Sequence, residues 1–433
     1  MRSYFNLQQY KTNLQIEILA GIATFLATAY IIVVNPSILS KTGMPFTGVL
    51  TATVLVCFIS SLMMGLYAKN PIVVAPGMGL NAFFTYTAVI GMGVPWQTAL
   101  GAVFWSGILF LLLSVLNIRT YIVKAIPKPL RYAIAAGIGL FITLIGMVNG
   151  GFIAKNDATI ISHAPMGSTL IIFVIGVLLT AILLVRKIKG AIVIGIIITT
   201  ILAAGIGRWW NDGDTIVNFK GVFAAPDFSL FGELDLWGSL RLSVLPVIFA
   251  FVFTDLFDSL STLVGVAEAG NLLDENGDPR NIKKALITDA MATTIAGIAG
   301  SSPGTAYIES AVGIEEGGRT GLTAVVAALL FLPFLFLAPL LSMVPAIATA
   351  PALVLVGAFM LRPVTKINWG MIDEAIPAFI AMVVIPFTYS ITQGIIWGFL
   401  GWTIIKLFAG KRREVSLTLL VIDAFCLMAL ILG

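Results

Sequence analysis

Charge is the scarcest property of this sequence. Asp, Glu, Lys and Arg together make up 11% of its 433 residues, against about 25% in soluble globular domains. A chain this poor in charge cannot clothe a large soluble surface, so no sizeable soluble domain is expected. Histidine is nearly missing. His163 is the single one, and it falls in an expected outer loop, which argues against a histidine relay or a histidine metal site. The two cysteines, Cys57 and Cys426, both lie in apolar runs and give neither a disulfide framework nor metal-ligand spacing. There is no Walker lysine motif and no Cys/His cluster, so neither ATP hydrolysis nor another enzyme chemistry is suggested. The segment "DENGDPRN" (274–281) has no glycine at the place a calcium loop requires one and reads as a cytoplasmic turn. No metal and no other cofactor is expected. The net charge of +4 is spread over short loops and forms no nucleic-acid stripe. The first fifteen residues, "MRSYFNLQQYKTNLQ", lack the plan of a cleaved signal.

Apolar sequence is abundant instead, at 59%. Runs of about 18–22 residues recur along the chain, each long enough for a bilayer core of roughly 30 Å. Fourteen spans are expected, near 16–35, 48–67, 72–91, 98–117, 131–149, 168–185, 190–206, 242–265, 283–300, 304–314, 320–342, 349–361, 374–388 and 391–409. The segment 415–432, which carries Asp423, is read as an interfacial helix or one packed on the bundle. With the N-terminus in the cytoplasm, "RTYIVKAIPKPLR" (119–131), "RKIK" (186–189), "RPVTK" (362–366) and "KRR" (411–413) all fall inside. That agrees with the positive-inside rule, with both termini cytoplasmic.

Two spans are unsuited to simple helices. The third contains Pro76-Gly77, and the tenth contains Pro303-Gly304 with only about ten residues before Glu315. Ten helical residues cover about 15 Å, half the core. Extended chain must supply the rest, and "IVVA" and "AGSS" before each Pro-Gly are the segments expected to do so. The breaks are seven spans apart. Seven is odd, so the second half enters the membrane from the opposite side, as in a seven-plus-seven inverted repeat. Paired broken helices in inverted repeats point to a transporter with its site at mid-membrane.

Within the eighth span, "FAFVFTDLFDS" (249–259) carries Asp255 and Asp258 on one helical face. Each carboxylate costs roughly 2.5–3.5 kcal/mol at a helix centre on insertion scales, which makes both functional candidates; capping a neighbouring half-helix is the structural alternative. Glu309 is expected one to two turns into the tenth half-helix. Asn81 is its expected counterpart in the third, five residues after Pro76 where Glu309 is six after Pro303. No Lys or Arg lies in the apolar bodies of spans eight and ten, and such acids suit a proton relay or sodium coordination. The aromatics Phe25, Phe83, Phe84, Phe251 and Tyr307 are candidate stacking faces for a flat heteroaromatic ligand, or plain packing.

The stretches "GIATFLATAYIIVVNPSIL" (21–39), "APGMGLNAFFTY" (75–86), "FVFTDLFDSLSTLVGVAEAGNLLDENG" (251–277) and "GTAYIESAVGIEEGGRTGLTAVVAALLF" (304–331) together resemble the nucleobase–cation symporter (nucleobase–ascorbate transporter) family, and within it the azaguanine-permease-like adenine, guanine and hypoxanthine branch. The resemblance covers nearly the whole chain. It implies an all-α polytopic membrane protein of fourteen spans in a seven-plus-seven inverted repeat, with short mid-membrane strands in spans 3 and 10. A core domain would comprise 16–117 and 242–342, and a gate domain 118–206 and 345–409. The outer loop would be 207–241 and the apolar tail 410–433. The implied activity is proton-coupled import of purine nucleobases across the plasma (inner) membrane, with a possible homodimer through the gate domain. Another nucleobase, a small anion or sodium coupling are the alternatives. The family's acids and polar residue match Asp255, with Asp258 close behind, Glu309 and Asn81. Tyr307 matches too, but Ile308 replaces a glycine of the uracil and xanthine carriers. Their span-eight histidine is also absent. The substrate-binding candidates are therefore Glu309, Asp255, Asn81, Tyr307, Ile308, Phe251, Ser310 and Thr305. The proton-coupling candidates are Asp258, Asp255 and Glu309.

Overall fold

The computed structural model describes residues 4–116, 126–210, 217, 219, 221–270, 272–273 and 279–432. Part of the basic stretch 119–131, part of the loop 207–241 and most of the turn 274–281 lie outside the described residues. Helices dominate. Among the described residues, eight helical stretches are long and apolar enough to cross a membrane by length and composition, running from Leu14–Thr42 to Ile391–Phe408. Shorter apolar helices include Ala191–Ile206, Gly321–Phe336 and Leu417–Met428. Helical residues occur at each of the fourteen expected positions, but several of these segments are cut short by Pro and Gly.

Close packing rests on small residues, as is usual where helices associate in lipid. Gly65 and Gly321 bring two backbones together: a Cβ on Gly321 would stand 1.9 Å from the Gly65 carbonyl oxygen. Helix ends follow their local chemistry. Asn13 caps Leu14–Thr28 by accepting from the Ile16 amide at 2.9 Å. Gly300, at φ +93°, closes Ile282–Ala299 in the left-handed conformation glycine tolerates.

The first expected span is two helices, Leu14–Thr28 and Ile31–Leu39, with Tyr30 at the joint. The third and tenth are broken as expected. Strand β1, Val74–Pro76, precedes a short helix, Met78–Ala82, which widens into a π-helix over Phe83–Gly91. The strand of span ten, β4, is Gly304–Ala306, followed by a 3-10 turn, Ile308–Ser310, and the helix Ala311–Glu315. The two strands pair antiparallel, Val74 opposite Ala306 and Pro76 opposite Gly304. Two further bonds extend the ladder, Gly77 N to Pro303 O and Tyr307 N to Val73 O, each 2.9 Å. Because the strands are antiparallel and each leads into a helix, the two half-helices leave the ladder in opposite directions.

This ladder corrects two expectations. In span ten the extended segment follows Pro303 instead of preceding it, so "AGSS" is not the strand. Glu309 accordingly lies in the first turn, not one to two turns in. By position after its strand it matches Gly79, and Asn81 matches Ala311. Proline explains the offset: Pro76 can sit within β1 because a two-stranded ladder leaves one edge needing no N–H donor, whereas Pro303 stands just before β4.

The fold is also not purely α outside the core. Strands β2, Ile153–Asn156, and β3, Ile160–His163, form a hairpin that holds the exposed His163. The helix Leu417–Leu432 packs on Ile391–Phe408, burying Leu419, Ile422 and Cys426, with Thr403 donating to Asp423 at 2.6 Å.

Candidate functional site

A cavity of about 50 Å³ lies where the two half-helices meet, walled by Gly77–Gly79 on one side and Thr305–Glu309 on the other. Asp258 and Thr262 come from the helix Leu245–Gly270, Tyr30 from the joint of the first span, and Val356 and Met360 from the helix Ala346–Met360. Among the described residues, no lysine or arginine lines it. Two carboxylates, two tyrosines and two threonines face an otherwise apolar space, a composition that accepts N–H groups and stacks a flat ring.

Glu309 is positioned by the ladder that starts its turn and by Tyr30, whose hydroxyl donates to Oε1 at 2.6 Å. Tyr307 donates its hydroxyl to the Pro76 carbonyl at 2.5 Å, tying the base of one half-helix to the strand of the other. The rings of Tyr30 and Tyr307 lie tilted at 6.4 Å. Ile308 is 47% exposed although it sits mid-chain among buried residues. It also lines a larger vestibule of about 260 Å³, as do Asp258, Thr262 and Met360, so cavity and vestibule adjoin. The inner cavity alone cannot enclose a bicyclic ring, and a ligand of that size must occupy the junction.

The two aspartates of the eighth span part company. Asp258 faces the cavity. Asp255 is 1% exposed and is not among the cavity-lining residues. It accepts from Thr293 Oγ1 at 2.7 Å and from Ser259 Oγ at 3.3 Å. Ser259 also bonds Asp289 and reaches Thr305 Oγ1 at 3.0 Å, while Thr293 donates to the Gly304 carbonyl at 3.0 Å. Asp255 thus belongs to a buried polar knot that grips strand β4 from behind. Its helical face turns toward Ile282–Ala299, so Asp255 sits behind the cavity wall and not on it.

Three more candidates lie outside the cavity wall. Asn81 accepts from Ser302 Oγ at 2.6 Å in a network with Asn35, whose amide donates to Thr53 at 2.8 Å and Ser301 at 3.0 Å. This network satisfies the chain just before β4, where helical bonds are missing. Ser310 accepts from the Val73 amide at 3.0 Å, one more rung beside the ladder. Phe251 is fully buried, edge-on against Phe83 at 4.8 Å. Phe25 likewise packs on Phe331. Thr305, Ile308, Tyr307 and Glu309 line the cavity. Sequence reasoning missed Tyr30, Thr262, Ser259, Asp289 and Thr293. Of these, Asp289 alone carried a signal, as an acid inside an apolar helix.

Among the described residues, no group of His, Cys, Asp and Glu is arranged to hold a metal ion.

Comparison with known proteins sets this geometry in a lineage. The model of a family described as "Permease family" matches residues 15–396. The chain is 45% identical over 419 residues to the putative permease MJ0326 of Methanocaldococcus jannaschii, covering 96% of this chain and 94% of that protein. It is 40% identical to the adenine permease AdeP of Escherichia coli, covering 99% and 95%. It is 37% identical to the guanine/hypoxanthine permease PbuO of Bacillus subtilis, covering 95% and 96%. Among solved structures, the transmembrane domain of the cyanobacterial bicarbonate transporter BicA matches with a TM-score of 0.66 at 17% identity, covering 89% of this chain and 97% of that one, which shows a shared fold. The chain is an integral membrane protein of this permease family, whose members are transporters and whose curated relatives of this chain include adenine and guanine/hypoxanthine permeases.

Proposed function

We propose that the chain is a secondary active importer of purine nucleobases, coupled to protons. The observation that carries the reading is the pair Asp258 and Glu309 on the wall of a cavity without a cation, between two half-helices joined by a ladder. A purine edge offers N–H donors, and carboxylates accept them. Glu309, oriented by Tyr30, binds that edge. Asp258, at the junction with the vestibule, exchanges the proton. Backbone N–H groups at the two half-helix starts bind ring nitrogens or an oxo group. The Asp255 knot and the Asn81 network hold these groups in place without touching the ligand.

In this reading fourteen crossings form a seven-plus-seven inverted repeat, with a core domain of 16–117 and 242–342 moving against a gate domain of 118–206 and 345–409. The protein lies in the inner membrane with both termini cytoplasmic and pairs as a homodimer through the gate domain. The acidic lining disfavours a small anion as cargo. Sodium in place of the proton is the alternative coupling.

The test is uptake of radiolabelled adenine, guanine, hypoxanthine, xanthine and uracil into proteoliposomes, with a proton or a sodium gradient imposed separately. Concentrative purine uptake driven by the proton gradient is expected. Wild-type rates in Glu309→Gln, or uptake driven by sodium alone, would overturn it.

A further inference from the structure

The vestibule has a charge opposite to that of the cavity it adjoins. Arg131, from the first turn of Lys128–Asn149, and Arg362 and Lys366, from the 3-10 turn Arg362–Lys366, all line it. The two elements pack on each other, so the three cations converge from two directions. Aromatic rings lie beside them: the Arg362 guanidinium stands 5.1 Å from the Phe359 ring and the Lys366 ammonium 5.8 Å from that of Tyr132. The Arg131 Nε is buried and, among the described residues, has no hydrogen-bond partner. A buried guanidinium nitrogen without an acceptor is an uncommon expense. Among the described residues, Asp258 is the one acid on the vestibule wall, at the end it shares with the cavity.

Acids at the inner end and cations at the mouth match a ligand with N–H donors at one end and an anionic group at the other. Together the two spaces reach the lower end of the roughly 300–1,000 Å³ range of small-ligand pockets. Planar arginine forks suit phosphate in particular. We propose that the vestibule binds a purine nucleoside 5′-monophosphate from the cytoplasmic side. Its base enters the junction beside Asp258 and Glu309, and its phosphate is held by Arg131, Arg362 and Lys366. A ligand so placed fills the path out of the cavity and inhibits import as phosphorylated purine accumulates inside. The placement of the base rests on the function proposed above; the phosphate site rests on the vestibule alone.

The same cations could instead hold lipid headgroup phosphates, and the experiment separates the sources. Purified protein in phosphatidylcholine nanodiscs is titrated calorimetrically with adenosine and guanosine 5′-monophosphate, the two nucleosides, ribose 5-phosphate and inorganic phosphate. Each is then used to compete with radiolabelled base. The expected result is that a monophosphate binds and competes at least about tenfold better than its nucleoside. In the Arg131→Gln/Arg362→Gln variant that advantage disappears, while affinity for the free base stays within about twofold. Three results would overturn the proposal: a nucleoside as potent as its monophosphate; ribose 5-phosphate or inorganic phosphate binding as tightly as the nucleotide; or loss of nucleotide binding when phosphatidylglycerol replaces part of the phosphatidylcholine. Base that is bound and transported without nucleotide binding sinks this proposal alone. Cation-dependent nucleotide binding without base transport sinks the importer reading and leaves the phosphate site standing.

Discussion

At the residue scale, the distinction between neighbouring acids decides most. Glu309→Gln keeps the shape and removes the charge that purine N–H groups meet in the proposed importer. Hydrogen bonds to charged groups contribute about 1.5–3 kcal/mol, so base affinity is expected to fall about 10- to 150-fold in a binding assay, with the variant still eluting as folded protein. Tyr30→Phe removes one orienting hydroxyl and is expected to cost only about 0.5–1.5 kcal/mol by the same measurement. The two aspartates separate by assay. Asp258→Asn is expected to abolish gradient-driven accumulation while preserving base exchange across the membrane, because exchange needs no net proton transfer. Asp255→Asn instead weakens the knot behind β4 and is expected to lower thermal stability by about 1–3 kcal/mol. If Asp258→Asn loses exchange and accumulation alike, the assigned proton role is wrong. The sequence could not rank these two residues. An i, i+3 spacing puts both on one broad helical face, and only the packing of Ile282–Ala299 decides which of them meets a neighbour and which a cavity. Tyr30 was illegible for a related reason, since its partner Glu309 lies 279 positions away.

At the element scale, the breaks were legible because Pro-Gly within an apolar run has few helical explanations. Their offset was not, since proline is compatible both with an edge position inside β1 and with the residue before β4. Gly79 shows how tightly the first half-helix is held: a Cβ there would lie 2.4 Å from Cγ2 of Ile138, on Lys128–Asn149. Gly79→Val is therefore expected to slow transport at unchanged protein yield by jamming the half-helix against that helix, as read by the initial uptake rate. On the loop side, Asp227 accepts from Thr47 Oγ1 at 2.5 Å, and its own amide donates to Thr51 Oγ1 at 3.0 Å. The Thr47 bond, ahead of those from Ser229, holds this carboxyl below the usual carboxylate range. A depressed carboxylate stabilises the fold above its unfolded value, near pH 3.9, and that contribution is lost as pH falls through the lower folded value. Limited proteolysis of the loop is thus expected to accelerate only in strong acid. Asp227→Asn should show the faster cleavage already at neutral pH.

At the scale of the whole molecule, a second charge cluster lies far from the cavity. Lys406 is fully buried yet meets Asp373 at 2.6 Å, Glu414 at 2.6 Å and Glu374 at 3.6 Å, with Lys411 adding a bond to Asp373 at 2.7 Å. This cluster joins the start of Ile372–Thr388 to the end of Ile391–Phe408 and the turn beyond. Removing the Lys406 ammonium takes away the charge shared by three acids that are themselves partly exposed, with Lys411 left to pair Asp373. Lys406→Met is therefore expected to lower the midpoint of thermal unfolding in detergent, while base affinity in the surviving folded fraction stays unchanged. Composition and spacing announced a bundle of apolar helices with two special spans. They carried no trace of this cluster, because its members looked like ordinary charges flanking membrane segments.

The strand ladder between the half-helices bears on which ligands the protein can admit. Its rungs, with the Tyr307 and Ser310 bonds beside them, rivet one half-helix to the other, so these two walls cannot spread without breaking the rivet. The other walls, Tyr30, Asp258 and Thr262, and Val356 and Met360, stand on separate helices outside the ladder. Room for a larger cargo is therefore made by those helices and not by the half-helices. Of the two acids, Glu309 is carried on the frame that does not yield and Asp258 on a helix that can move against it.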